Sequence, residues 1–326
     1  MTRVHITIDT EYSALLALQG CSQAQNFARS ISCETSSGNV GIEYQMDVFD
    51  RHGLRGDFFV DPMPAMLWGI DAVAQIVRPI VERGHGVELH IHTEWLEIAN
   101  RLQPGANPLG GRTGRNMADF THDEQAGLLD YARALLIEAG APPPVAFRAG
   151  NYGANDDTLR ALARTGLRYD TSHCPGIARS ECAITLSPDD RAAVRHAGAV
   201  EVPTGAVQDL RGNLRHAQIT ALSAREILSA IRHARDNGVD DFTLVSHSFE
   251  LLSRDRMRIN RLVKRRFERF CQGLGQMEGA CSALYRNDPP SPLPAKANAP
   301  VLPRGHFRAL ERMAEQAVAN ALYGRG

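Results

Sequence analysis

Seven short β-rich runs recur along the chain, each separated from the next by a stretch long enough for a helix, and this alternation constrains the fold more than any other feature. The runs are "VHITID" (4–9), "GDFFVD" (56–61), "GVELHIH" (86–92), "PVAFRAG" (144–150), "LRYDTS" (167–172), "GAVEVPTG" (198–205) and "DFTLVSHS" (241–248). Helical patterns fill 66–83, 124–139, 155–165, 223–236 and 256–277. Thr121 with Glu124, and Ser223 with Glu226, are capping-box pairs that open two of these helices, and Gly238 stops the second. Parallel strands need crossover helices to return, so the pattern predicts an α/β fold around a mostly parallel sheet, open or closed into a barrel. In either form the functional groups gather at the C-terminal strand ends.

The strand ends are ionisable. Asp9 and Glu11 end the first run, His90, His92 and Glu94 the third, Arg148 the fourth, Asp170 the fifth and His247 the last. Imidazole and carboxylate together suit zinc and its neighbours, and a hydrolytic site needs about three protein ligands and one open position. His90 and His92 share a face if the chain is extended there; His90 and Glu94 meet only if it turns helical at once. The sequence offers both geometries. Asp9 and Glu11 also sit two apart, so one carboxylate can bind the metal while the other takes a proton from water. His247 is placed to protonate a leaving amine or alcohol, and Arg148 to orient the base carboxylate and hold it ionised.

The ordered set "TIDTE", "GHGVELHIHTEW", "FRAGNYG", "YDTS", "VEVPTG" and "LVSHS" resembles the polysaccharide deacetylase (NodB-like) family over residues 4 to about 280. The resemblance implies a distorted seven-stranded (β/α)7 barrel and hydrolysis assisted by a divalent metal, zinc first. It implies Asp9 as the base, His90 as a metal ligand and His247 as the general acid. Thr10 stands where the family has a second aspartate, so Glu11 is the nearest substitute ligand, and Glu94 stands where the family has a second histidine, which makes His92 an extra one. Arg148 matches the arginine of the third family motif; the glycines around it let backbone N–H groups approach an oxyanion, and Asn151 and Tyr152 read as substrate-binding. The family's D-x-x-W motif is absent, which leaves Asp170 as the partner of His247. Trp95 reads either as a sugar-stacking ring or as core.

The implied activity is removal of an acetyl or related acyl group from an N-acyl or O-acyl sugar, in surface-polysaccharide biosynthesis. Two rival readings stay open: a hydrolase of small cyclic amides or ureides, working with or without metal, and a non-catalytic carbohydrate-binding protein on a degenerate barrel. A serine hydrolase has no G-x-S-x-G elbow here.

The remaining features set the surroundings. With 36 basic and 37 acidic side chains, no global field favours nucleic acid. No apolar run reaches the roughly 20 residues of a membrane span. The N-terminus has no secretion-type apolar stretch and reads as the first strand, which gives a cytoplasmic default. The six cysteines form no C-x-x-C pair and read as free thiols. A barrel over 1–285, a proline-rich linker at 286–304 and an amphipathic helix at 305–326 complete the expected plan. The tail carries an apolar stripe of Phe307, Leu310, Met313, Ala314, Ala317, Val318 and Ala321, expected to dock on the barrel or on a second subunit of a homo-oligomer.

Overall fold

The computed structural model describes residues 1–293 and 298–324. All seven expected strands form. We label them β1 (Thr2–Thr10), β2 (Asp57–Val60), β3 (Gly86–Ile91), β4 (Ala146–Ala149), β5 (Tyr169–Asp170), β6 (Ala199–Glu201) and β7 (Asp241–His247). They pair in the order β7-β1-β2-β3-β4-β5-β6, every pair parallel. Two short strands extend the sheet: Ala280–Ser282 runs parallel to β1, and Val194–His196 antiparallel to β6.

The sheet curls into an incomplete barrel. Between β6 and β7 the ladder is replaced by an irregular segment: Gly205 N donates to Thr243 O (2.8 Å), Val245 N to Ala217 O (2.9 Å) and Ile219 N to Val245 O (3.2 Å). The backbone groups that an open edge would leave unpaired are thereby used.

Strand alternation divides the core in two. The outward residues Val4, Ile6, Ile8, Phe58, Val60, Leu89 and Phe147 pack under the helices in one large apolar layer. The inward face is different. A small cluster built on Phe59, Tyr169, Val200 and Tyr285 plugs the barrel, and polar residues occupy most of what remains. Among them, Glu88 Oε2 accepts from Val145 N and Ala146 N, both at 2.7 Å, and so ties β3 to the start of β4. Burial pushes the Glu88 carboxyl up to about 7.

The helices follow their local signals. Both expected capping boxes form, at Thr121–Glu124 before His122–Glu138 and at Ser223–Glu226 before Ala224–Asp236. The expected helix at 66–83 is two pieces, Ala65–Trp68 and Asp71–Glu82, because Gly69 between them takes φ +76°, a left-handed value that ends the first turn. The basic stretch expected to begin a helix at 256 begins one at Arg261, capped by Asn260. All six cysteines are free.

Residues 294–297 of the expected linker and 325–326 of the expected tail lie outside the described residues. On either side of the former, Leu293 N donates to Ala193 O and Gln208 N to Leu302 O, so the chain at Leu293 and at Leu302 lies against the barrel. The tail helix His306–Tyr323 docks by its polar side. Arg312 reaches Glu226 (3.2 Å) and Glu315 reaches Arg266 (2.7 Å), while Phe307, Leu310, Met313 and Val318 stay exposed. The buried charges Glu226 and Arg266 need partners, and this need outweighs the apolar stripe in orienting the helix. No helix among the described residues is long and apolar enough to cross a membrane.

Phe58 and Phe59 face opposite layers, which gives a direct check of the register. Replacing Phe58 with alanine empties a fully buried site under the helices and is expected to lower the unfolding free energy by about 3–5 kcal/mol, measured by urea denaturation.

Candidate active site

At the C-terminal end of the barrel, β1 and β3 bring three side chains to one point. Glu11 follows β1, and His90 and His92 sit at and just past the end of β3. Their ligating atoms lie within 4.8 Å of one another. Glu11 Oε2 is 3.2 Å from His90 Nε2 and 2.7 Å from His92 Nε2. The opposite nitrogen of each ring is already engaged: His90 Nδ1 donates to Arg148 O (2.7 Å) and His92 Nδ1 to Glu94 Oε2 (2.9 Å). Fixing Nδ1 as the donor turns the lone pair of Nε2 toward the cluster, which is how metal-binding histidines are oriented. Two imidazoles and one carboxylate facing a common point fit a divalent ion. Burial would raise the Glu11 carboxyl, but His92 and His90 outweigh it and hold it well below the usual range.

Glu94 does not join this cluster. The strand ends at Ile91 and the helix Glu94–Leu102 starts almost at once, which leaves His92 at the junction and Glu94 behind its ring. Asn151 Nδ2 donates to Glu94 Oε1 (3.1 Å), so Asn151, expected against substrate, is occupied in steadying the partner of His92. Gly150 is required by the same packing, since a Cβ there would lie 2.7 Å from His92 Nδ1.

Beside the cluster stands a second set of groups. Asp9 is 3% exposed, and its Oδ1 accepts from Arg148 Nη1 at 2.5 Å. Arg148 also donates from Nη2 to Thr7 Oγ1 (2.9 Å) and from Nε to Thr171 O (3.2 Å), and its guanidinium lies 4.6 Å from the Phe59 ring centroid. A guanidinium held on every side cannot leave Asp9. On the other side of Asp9, His247 Nε2 is 3.8 Å from Oδ2, beyond hydrogen-bond reach, so neither group is spent on the other.

His247 Nδ1 donates to Glu250 Oε1 (3.0 Å). Burial lowers its basicity, but Glu250 and then Asp9 more than offset this and raise the imidazole to about 9. Glu250 therefore fills the position expected of Asp170. Asp170 bonds to Ser172 N (2.9 Å) and Ser172 Oγ (3.0 Å) and pairs in register with Glu201 on β6. It makes no contact with His247, since β5 and β7 are not neighbours.

Three further residues complete the account of this region. Trp95 is 1% exposed and meets Trp68 edge-on at 5.5 Å, so it is core and no sugar platform. Tyr152 follows Asn151 with both residues at left-handed φ, 58° and 57°, and its buried hydroxyl has no hydrogen-bond partner among the described residues. Burial first, then the neighbouring Cys174, push that hydroxyl well above the usual tyrosine range; Asp9 and Arg148 are also close enough to act on it. Asp61 follows β2 with its Oδ2 near His92 N (3.4 Å), and burial pushes it up to about 7. Neither Asp61 nor Glu250 was singled out from the sequence. The strand-end rule would have found the first, the last residue of "GDFFVD"; the second follows His247 by three, in a turn.

No family model matches the chain. It is similar to a peptidoglycan deacetylase-like protein of Gibberella zeae, with 24% identity over 174 residues, 52% of this chain and 44% of that protein. The match thus spans less than half of that relative's length. Among solved structures, a candidate polysaccharide deacetylase from Mycobacterium smegmatis superposes with a TM-score of 0.53 at 13% identity, covering 87% of this chain and 88% of the other. A 4-alpha-glucanotransferase from Thermococcus litoralis gives a TM-score of 0.51 at 9% identity, over 88% of this chain and 40% of the other. The chain thus shares the fold of the Mycobacterium smegmatis structure, the fold its motifs led us to expect. That the same fold serves a glucanotransferase means that residues, and not topology, decide the chemistry.

The geometry separates ligands from their supports. Glu11→Gln and His92→Ala should each abolish stoichiometric metal in the purified protein. Glu94→Gln, which leaves all three convergent atoms in place, should weaken metal affinity by about 10–100-fold, read by competition with a chromogenic chelator.

Proposed function

We propose that this chain is a metal-assisted deacetylase that removes an acetyl or similar acyl group from an N-acyl sugar. The observation that carries the reading is the position of Asp9. Its carboxylate is fixed by Arg148 on one side, faces His247 on the other, and lies two residues before Glu11, which follows β1. A base, an acid and a candidate metal set thus meet at one barrel mouth. The name of the Gibberella zeae relative supports an acylated amino sugar as the substrate class.

Glu11, His90 and His92 would hold the ion, with zinc the best match to two imidazoles and one carboxylate. A divalent ion bound there supplies Lewis acidity, which polarises the acyl carbonyl and makes water a better nucleophile at neutral pH. The protein's own groups do the rest. Asp9, kept as a carboxylate by the adjoining guanidinium, takes a proton from the attacking water. The buried Tyr152 hydroxyl, close to Asp9 and Arg148 and without a partner among the described residues, would donate to the acyl oxygen where charge develops. His247, protonated at neutral pH because Glu250 supports its charge, gives a proton to the leaving nitrogen. The amine then departs as a free amino sugar, with the acyl group released as a carboxylate.

Two outcomes follow. Asp9→Asn should keep the fold and the metal yet lower kcat by about 10²–10⁴-fold, measured as acetate released from N-acetylglucosamine oligomers. A binding protein without catalysis would show no acetate release in either form.

The second outcome concerns pH. The acid is competent only while His247 carries its proton, so activity should fall as pH rises through the raised value near 9. Glu250→Gln removes the carboxylate that holds the proton, and the alkaline limb of the kcat profile should move to lower pH. An unmoved limb would assign that ionisation to another group.

A further inference from the structure

A cavity of about 760 Å³ outside the catalytic cluster lies between the segment Pro175–Arg179 and the hairpin formed by Ala206–Gln208 and Leu214–His216. Its two walls touch: a Cβ on Gly176 would lie 2.1 Å from His216 N. The cavity adjoins the site through hydrogen bonds. His216 Nε2 pairs with Gln218 Oε1 (2.5 Å), Gln218 donates to Glu250, and Glu250 holds His247. The other wall continues directly from Cys174, the neighbour of Tyr152.

The charge in this cavity is unbalanced. Arg179 and Arg215 both line it. Arg215 has no salt bridge or hydrogen bond among the described residues, and its Nε is sealed from solvent. An adjoining recess of about 420 Å³ shares Arg215 with it and adds Arg211 and Arg312. The acid in the lining, Asp209, is turned onto its own loop, with Oδ1 accepting from Arg211 N (2.8 Å) and Asn213 N (2.9 Å). Arg312 is committed to Glu226. A half-buried guanidinium with acids nearby but none in direct contact costs desolvation free energy that a bound anion would offset. Burial and the nearby Arg312 accordingly make Arg215 less basic than a free arginine, against the opposing pull of Asp209 and Glu226.

We propose that this cavity is a substrate subsite for an anionic substituent, a carboxylate or a phosphate ester, carried on or next to the sugar being deacylated. Arg215 is the residue that selects it. The inference rests on the deacetylase reading above and narrows its substrate class from N-acyl sugars to acidic ones.

The test separates binding from turnover. In the full chain carrying Asp9→Asn, calorimetry would compare three probes: neutral diacetylchitobiose, a disaccharide of N-acetylglucosamine and glucuronate, and N-acetylglucosamine 1-phosphate. At least one acidic probe should bind more tightly than the neutral one, and which of them does so distinguishes carboxylate from phosphate. Adding Arg215→Ala should weaken the acidic probe about tenfold, the worth of one charge-assisted hydrogen bond, and leave the neutral probe within about twofold. Arg215→Lys should recover part of the loss and controls for misfolding of the alanine variant. Equal losses on neutral and acidic probes, or no preference for either acidic probe, would overturn the subsite. Acidic binding that depends on Arg215, with no acetate released by the unmodified chain from any probe, would instead overturn the deacetylase reading.

Discussion

The buried guanidinium of Arg148 is the interaction on which the rest of the site depends. Its side chain binds Asp9, Thr7 and Thr171 and rests on Phe59, so it ties β1, β4 and the end of β5 together inside the barrel. Its backbone carbonyl accepts from His90 and so fixes which nitrogen of that ring faces Glu11. One residue thereby sets the charge of the proposed base and the tautomer of a proposed ligand. Burying such a group is unfavourable unless every donor finds a partner. The polar inner face of the barrel, with its threonines, supplies those partners, and this explains why the strands alternate so sharply between aliphatic outer and polar inner residues.

Much of this was legible in the chain. Seven strand positions emerged from the alternation of β-rich and helical runs because parallel strands leave no other economical connection. Thr121 and Ser223 announced their helices because a capping box is a local device that needs no tertiary context. Asp9, Arg148 and His247 were expected at the barrel mouth because strand-end position predicts where a side chain goes in such a sheet.

What could not be read depends on contacts distant in sequence. Whether His92 or Glu94 points inward rests on how abruptly β3 gives way to a helix. The partner of His247 is Glu250, three residues on, and not Asp170 on β5. That choice depends on the order of strands, which a sequence pattern does not give. Trp95 is core because Trp68, from another crossover segment, covers it. The tail helix shows the same limit. Its apolar stripe implied one docking face, but the buried partners Glu226 and Arg266 impose another.

The central claim is that Glu11, His90 and His92 form one metal centre supported by Glu94 and the Arg148 carbonyl. Anomalous diffraction from crystals of the purified protein, collected above and below the zinc edge, tests this most directly. The account predicts one peak about 2.0–2.2 Å from His90 Nε2, His92 Nε2 and a Glu11 oxygen, with Glu94 still bonded to His92 Nδ1. A peak ligated by Glu94 in place of His92, or no peak between β1 and β3 after soaking with zinc, would contradict it.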